Sequence, residues 1–309
     1  MFLEYHELLS NYWKGESMND LYICNGLSNY ISKINLTDSI HQKIHLEDEN
    51  KIIGIHGIDF LDDKIYIAGN NSYNFYEINI NTWGIKSWEI GMFTNDLKII
   101  DDFIYLICSD TNCLVVYDMT NKCLCYQIEC GNYPQSMEIN NKYEVICVTS
   151  SKSDQINMID YKINDVIKNI RTGNFPMNSK FYKDSKYIFV CESNFGDEIN
   201  GTFSIYDFDT GQNYKSIKLN TPVDMYIDYE SKSVFVSNYL GNCVSIIDLL
   251  ELREIGRIYV NGNPRGIYKN GRFLYVVLGD KELLIKYDLY TRKKETIRIG
   301  EDPSRIYGY

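Results

Sequence analysis

The sequence predicts an all-β chain closed into one seven-bladed β-propeller of four-stranded blades. Three observations predict it: a repeat of about 40 residues, an Asp or Asn that closes the third strand of every repeat, and a first unit whose missing strand stands at the far end of the chain.

The repeat is plainest in the second half. Gly131-Asn-Tyr-Pro134, Gly173-Asn-Phe-Pro176, Asn261-Gly-Asn-Pro264 and Gly300-Glu-Asp-Pro303 each separate two alternating runs, and Thr221-Pro222 is a shortened copy. After each turn come a first strand, a second apolar strand, an Asn/Ser/Gly turn and a third strand ending in Asp, as in Phe235-Val-Ser-Asn-Tyr-Leu-Gly-Asn-Cys-Val-Ser-Ile-Ile-Asp248. A fourth strand such as Glu254-Ile-Gly-Arg-Ile-Tyr-Val260 completes the unit. Runs of β-branched and aromatic residues alternating with polar ones read as strands, and Lys269-Asn-Gly-Arg272 reads as a hairpin turn.

The third-strand terminus recurs as Asn35, Asn79, Asp118, Asp160, Asp207, Asp248 and Asp288, which fixes the count at seven. The first copy opens on a second-type strand, Leu21-Tyr-Ile-Cys-Asn25. Pro303-Ser-Arg-Ile-Tyr-Gly308 has the pattern of a first strand with nothing after it, so it is expected to pair with the Leu21 strand and remove an exposed sheet edge. The propeller is thus expected over residues 19–309. Residues 1–18 form an N-terminal extension, where Phe2, Tyr5, Leu9 and Tyr12 fall near one face at helical spacing. Such a short helix either packs on the rim or serves as a partner-binding or dimerisation arm.

The Gly-Asn-x-Pro turn, the strand Phe235-Val-Ser-Asn238 and the strand Val244-Ser-Ile-Ile-Asp248 resemble the YVTN repeat of YncE-like propellers, from about residue 20 to the end. More distantly the chain is similar to the propeller lactonases of the 6-phosphogluconolactonase type and to streptogramin lyase. Blades two and three depart from the pattern, with Ile55 and Thr94 where the proline stands. The resemblance implies the fold and a site at the mouth of the central channel, and says little about chemistry, because the motif encodes turns and packing.

Composition narrows the partners. With 44% apolar and 24% charged residues the chain reads as globular, and a net charge of −11 opposes both nucleic acid and anionic membranes. The first ten residues lack the basic and apolar regions of a secretory signal. The nine cysteines, an odd number lying mostly inside apolar runs, read as reduced and buried. A cytoplasmic monomer without a cofactor is the expectation.

Aligning the blades on Pro264-Arg265-Gly266 places His56, Asn95, Gln135, Met177, Val223, Arg265 and Ser304 in one ring at the mouth. The next ring carries Gly57, Asp96, Ser136, Asn178, Asp224, Gly266 and Arg305. Asp96, Gln135, Asn178, Asp224, Arg265 and Arg305 are therefore the candidate ligand-binding residues. Two guanidinium groups suit a small anionic ligand, since each grips a carboxylate with paired hydrogen bonds. The alternative is that Asp96 and Asp224 simply pair with Arg265 and Arg305 across the channel. His56, the one mouth histidine, is the candidate catalytic residue by its suitability for proton transfer.

No histidine follows residue 56, which opposes the late-blade histidines that the lyase resemblance implies and any multi-histidine copper or haem site. Cys123 and Cys125, two apart on a strand, would share a side and suit a soft metal, but small buried hydrophobes are the commoner use and no metal is assigned. Asp197, Glu198 and Asn200 in the long blade-five turn present oxygen ligands without the EF-hand pattern. The 27 tyrosines suit either strand propensity or a contact surface. Two functions remain open: a scaffold binding a protein, peptide or small ligand at the mouth, and a lactonase-like hydrolase of a small anionic substrate with His56 as base.

Overall fold

A computed structural model describes residues 19–46, 52–183, 185–195 and 200–309. The N-terminal extension and its amphipathic stripe lie outside the described residues, as do Asp197 and Glu198 of the blade-five turn.

The described strands form seven antiparallel sheets of four. Their inner strands are Pro303–Gly308 in blade one, Ile55–Leu61 in blade two, Asp96–Ile100 in blade three and Pro134–Asn140 in blade four. Pro176–Phe181, Pro222–Asp228 and Pro264–Asn270 serve blades five to seven. Each inner strand touches the inner strands of both neighbours, so the ring closes. The apolar core lies between blades. Leu97 and Leu106 of blade three, for example, pack against Tyr66 and Phe75 of blade two. Middle strands are covered on both faces and read as continuous apolar runs, whereas the rim strand Cys123–Glu129 is exposed at all but one position.

The recurrent Asp or Asn has a physical cause. Its side-chain oxygen accepts the backbone amides two and three residues on, which locks the turn into the fourth strand. Asp118 takes the amides of Thr120 and Asn121, both at 2.8 Å. Asn35, Asn79, Asp160, Asp248 and Asp288 repeat the pair, while Asp207 takes the amide of Thr210 alone.

Closure follows the expected register. Leu21 pairs with Gly308, Tyr22 with Tyr307 and Ile23 with Ile306. Tyr309 extends the clasp to blade two, stacking on Phe60 at 4.5 Å and donating its hydroxyl to the Asp62 carbonyl at 2.6 Å.

Two cysteine expectations are corrected. Cys123 and Cys125 are exposed on the outermost strand of blade three, unlike the buried Cys24, Cys108, Cys113, Cys147, Cys191 and Cys243. They also lose the simple alternation that would put them on one side. Leu124 pairs with Tyr117 and Tyr126 with Val116, so Cys125 is the extra residue of a bulge, its thiol 3.3 Å from the Val116 carbonyl. No helix among the described residues is long and apolar enough to cross a membrane.

Candidate functional site

The mouth residues are aimed by bulges. At the start of the inner strand the register slips between Ile55 and Gly57, Pro134 and Ser136, Pro176 and Asn178, and Pro222 and Asp224. His56, Gln135, Met177 and Val223 are left unpaired and turned out of the ladder. In blade seven the slip spans Arg265 and Gly266. All five prolines open inner strands, where a missing ladder donor is tolerated.

These residues line a well of about 360 Å³, with Phe195 and Tyr239 on its wall. The Arg265 guanidinium lies 5.6 Å from the Tyr239 ring centre, and its Nη1 donates to Asp302 at 2.5 Å. The Ser304 hydroxyl, in a residue only 7% exposed, has no hydrogen-bond partner among the described residues.

His56 sits in the well as a neutral ring. Its Nδ1 donates to the Asn95 carbonyl at 3.0 Å, which fixes the tautomer. Burial, reinforced by the charge of Arg305, pushes its pKa down to about 3. The pH dependence follows. Between pH 6.5 and about 3 the unfolded chain binds a proton here that the native chain refuses, so stability falls with pH, by about 1.4 kcal/mol per unit from this one group. His56→Gln is expected to be relatively more stable at pH 4 than at pH 7. Urea unfolding across that range checks it, and parallel curves for the two proteins would refute it.

The second ring bars the channel. Arg305 reaches past blade two to Asp96 of blade three, Nη1 to Oδ2 at 2.5 Å, and to the Gln135 carbonyl of blade four, Nη2 to O at 2.7 Å. In a ring of seven that is the full width of the channel. Glycines on both flanks give it room. A Cβ on Gly57 would sit 2.7 Å from the Asp96 Cα, and one on Gly266 would sit 2.8 Å from the Arg305 Cα. Asn178 and Asp224 complete the bar, Nδ2 to Oδ1 at 2.6 Å.

The cross-channel pairing is thus half right. Arg305 pairs with Asp96, but Arg265 pairs at the mouth with Asp302. Asp224 instead accepts from Asn178 and from the amides of Met225 and Ile267. Burial raises the Asp224 pKa, partly offset by Lys180.

Two residues further along the inner strands lies a third ring that the alignment of the mouth did not include: Asp59, Lys98, Glu138, Lys180, Tyr226, Tyr268 and Tyr307. All seven line a chamber of about 370 Å³ on the other side of the bar. The signal was present, since alternate residues of a strand share a side. It was masked because Tyr and Lys on a strand read as ordinary polar-face residues.

No family model matches the chain, and no curated protein does. Solved structures do. The chain is similar to Kuenenia stuttgartiensis hydrazine synthase, at 15% identity and a TM-score of 0.73, over 85% of this chain and 94% of that one. It is similar to virginiamycin B lyase from Staphylococcus aureus, at 16% identity and 0.69, over 84% and 90%. It is also similar to the computationally designed protein Ika8, at 9% identity and 0.70, over 94% and 88%. At these identities the likeness extends to the fold alone.

Proposed function

We propose that this is a recognition propeller of YVTN-type repeats that takes a small carboxylate-bearing ligand in the mouth well. Arg265 carries the reading. A bulge presents its guanidinium to the well, Asp302 takes one bond from Nη1, and the side chain stays 31% exposed. A guanidinium has five N–H donors in a fixed fork, so capacity remains for a carboxylate. The Ser304 hydroxyl, unpartnered among the described residues, is a further donor, and the rings of Tyr239 and Phe195 offer an apolar wall.

Hydrolysis is the weaker reading. His56 is its base, and a ring held near 3 is a poor proton acceptor at neutral pH.

A thermal-shift screen of small carboxylates against their amides tests the proposal. A carboxylate at about 100 times its dissociation constant adds roughly 2.7 kcal/mol and moves the midpoint by several degrees. Arg265→Ala is expected to weaken binding by about 10- to 100-fold, the worth of a hydrogen bond to a charged group. Amides that bind as tightly as the acids, or a shift that survives Arg265→Ala, would remove the carboxylate site.

A further inference from the structure

We propose that the chamber beyond the bar is a second binding site, taking a small zwitterion of the α-amino acid type with its ammonium on Glu138 and its carboxylate on Lys180. The site follows from unmatched charge. Of the ionic groups lining the chamber, Arg305 is paired with Asp96, and Lys98 with Asp59 at 3.6 Å. Asp224 is satisfied by three N–H donors.

Two opposite charges are left, at equivalent positions of neighbouring inner strands. The Glu138 carboxylate has no hydrogen bond and no ion pair within 4 Å among the described residues. Among the described residues the Lys180 ammonium meets only a neutral acceptor, the Met225 carbonyl at 2.9 Å, and no carboxylate lies within 4 Å of it. The two do not reach each other, so the space between them separates a half-buried anion from a half-buried cation. Burial accordingly pushes the Glu138 carboxyl up, with Lys180 and Lys98 pulling it back.

An independent observation points to the same place. Ser136, 3% exposed and lining the chamber next to Glu138, has a hydroxyl with no partner among the described residues. A buried hydroxyl left unpaired is costly, and a ligand group that accepts or donates there recovers that cost.

The chemistry of the occupant is constrained. A simple anion serves Lys180 and is repelled by Glu138, a simple cation does the reverse, and a dipolar ion complements both. Tyr226, Tyr268 and Tyr307 stand on three other inner strands at the same level, the first two edge-to-face at 5.4 Å. They give an amino acid's side chain an apolar wall with polar tips. The volume, about 370 Å³, is at the small end of ligand pockets.

Isothermal titration of the full chain tests this, using the twenty α-amino acids and glycine betaine. Tyramine and 3-(4-hydroxyphenyl)propionate, isopentylamine and 4-methylpentanoate serve as singly charged controls. At least one zwitterion is expected to bind, with its amine and acid counterparts ten-fold weaker or more. Glu138→Gln and Lys180→Met are each expected to weaken it at least ten-fold, and Arg265→Ala to leave it unchanged. Glu138→Gln removes an unpaired, half-buried charge and keeps the fold, so it decides alone if Lys180→Met does not fold. Silence from every probe, equal binding of a singly charged control, or binding that survives Glu138→Gln overturns the proposal. Binding lost only with Arg265→Ala also overturns it, and assigns the ligand to the mouth instead.

Discussion

Replacing Arg305 with Met is expected to lower the unfolding free energy by about 3–5 kcal/mol, the cost of removing one partner of a buried ion pair. That is a large share of the 5–15 kcal/mol by which folded domains are usually stable. The Asp96 side chain is only 2% exposed, and without Arg305 it keeps just the amides of Leu97 and Met137. The cost therefore comes from the charge left behind. Asp96→Leu in the same chain is expected to return much of the loss, because an apolar pair of similar volume replaces an ion pair at little cost. Arg305→Lys is expected to fall between, since a single ammonium cannot fork to both the Asp96 carboxylate and the Gln135 carbonyl. Urea unfolding of the four proteins measures this. A loss under about 1 kcal/mol for Arg305→Met, in the range of exposed pairs, would show that the bar contributes little to stability.

A chain ending at Asp302 is expected to lose the cooperative transition altogether. The deletion strips the inner strand from blade one and opens the edge of Asp20–Asn25. It also takes away Arg305, the buried Ile306 and the Tyr309 ring stacked on Phe60. An unpaired strand with apolar neighbours is a template for association, so the truncated protein should elute as oligomers. A synthetic peptide covering residues 300–309 is expected to restore the monomer by adding the missing strand. A truncated monomer that unfolds in one sharp step would show that the ring stands without its clasp.

The fold was legible because its signals are local and repeated. Asp118, Asp160, Asp248 and the rest mark the end of the third strand since each closes a turn by hydrogen bonds within three residues, which any sequence reader can see. The closing strand was legible for the same reason, as Pro303–Gly308 repeats a pattern already met four times.

The site was legible only in outline. Alignment placed Arg265 and Arg305 in adjacent rings, but their partners depend on direction. Arg305 crosses to Asp96 because Gly57 and Gly266 leave space beside it, and Arg265 pairs with Asp302, a residue of the turn leading into Pro303–Gly308 that no ring contains. Cys125 misled through a bulge, which shifts a register without leaving a mark in composition. The third ring was hidden in plain alternation: Glu138 and Lys180 look like solvated strand residues until seven strands turn them onto one axis.

The bar makes the channel two wells set back to back, and the partition is made of side chains that belong to both. Asn178, Asp224 and Arg305 line each well. A ligand that draws on any of them from one end alters what it offers at the other. By thermodynamic linkage the influence runs equally both ways, so whatever factor one occupant applies to its neighbour's affinity is returned to its own. The two ends of the molecule are in that sense one balance, with its beam at the ring where the chain's own charges meet.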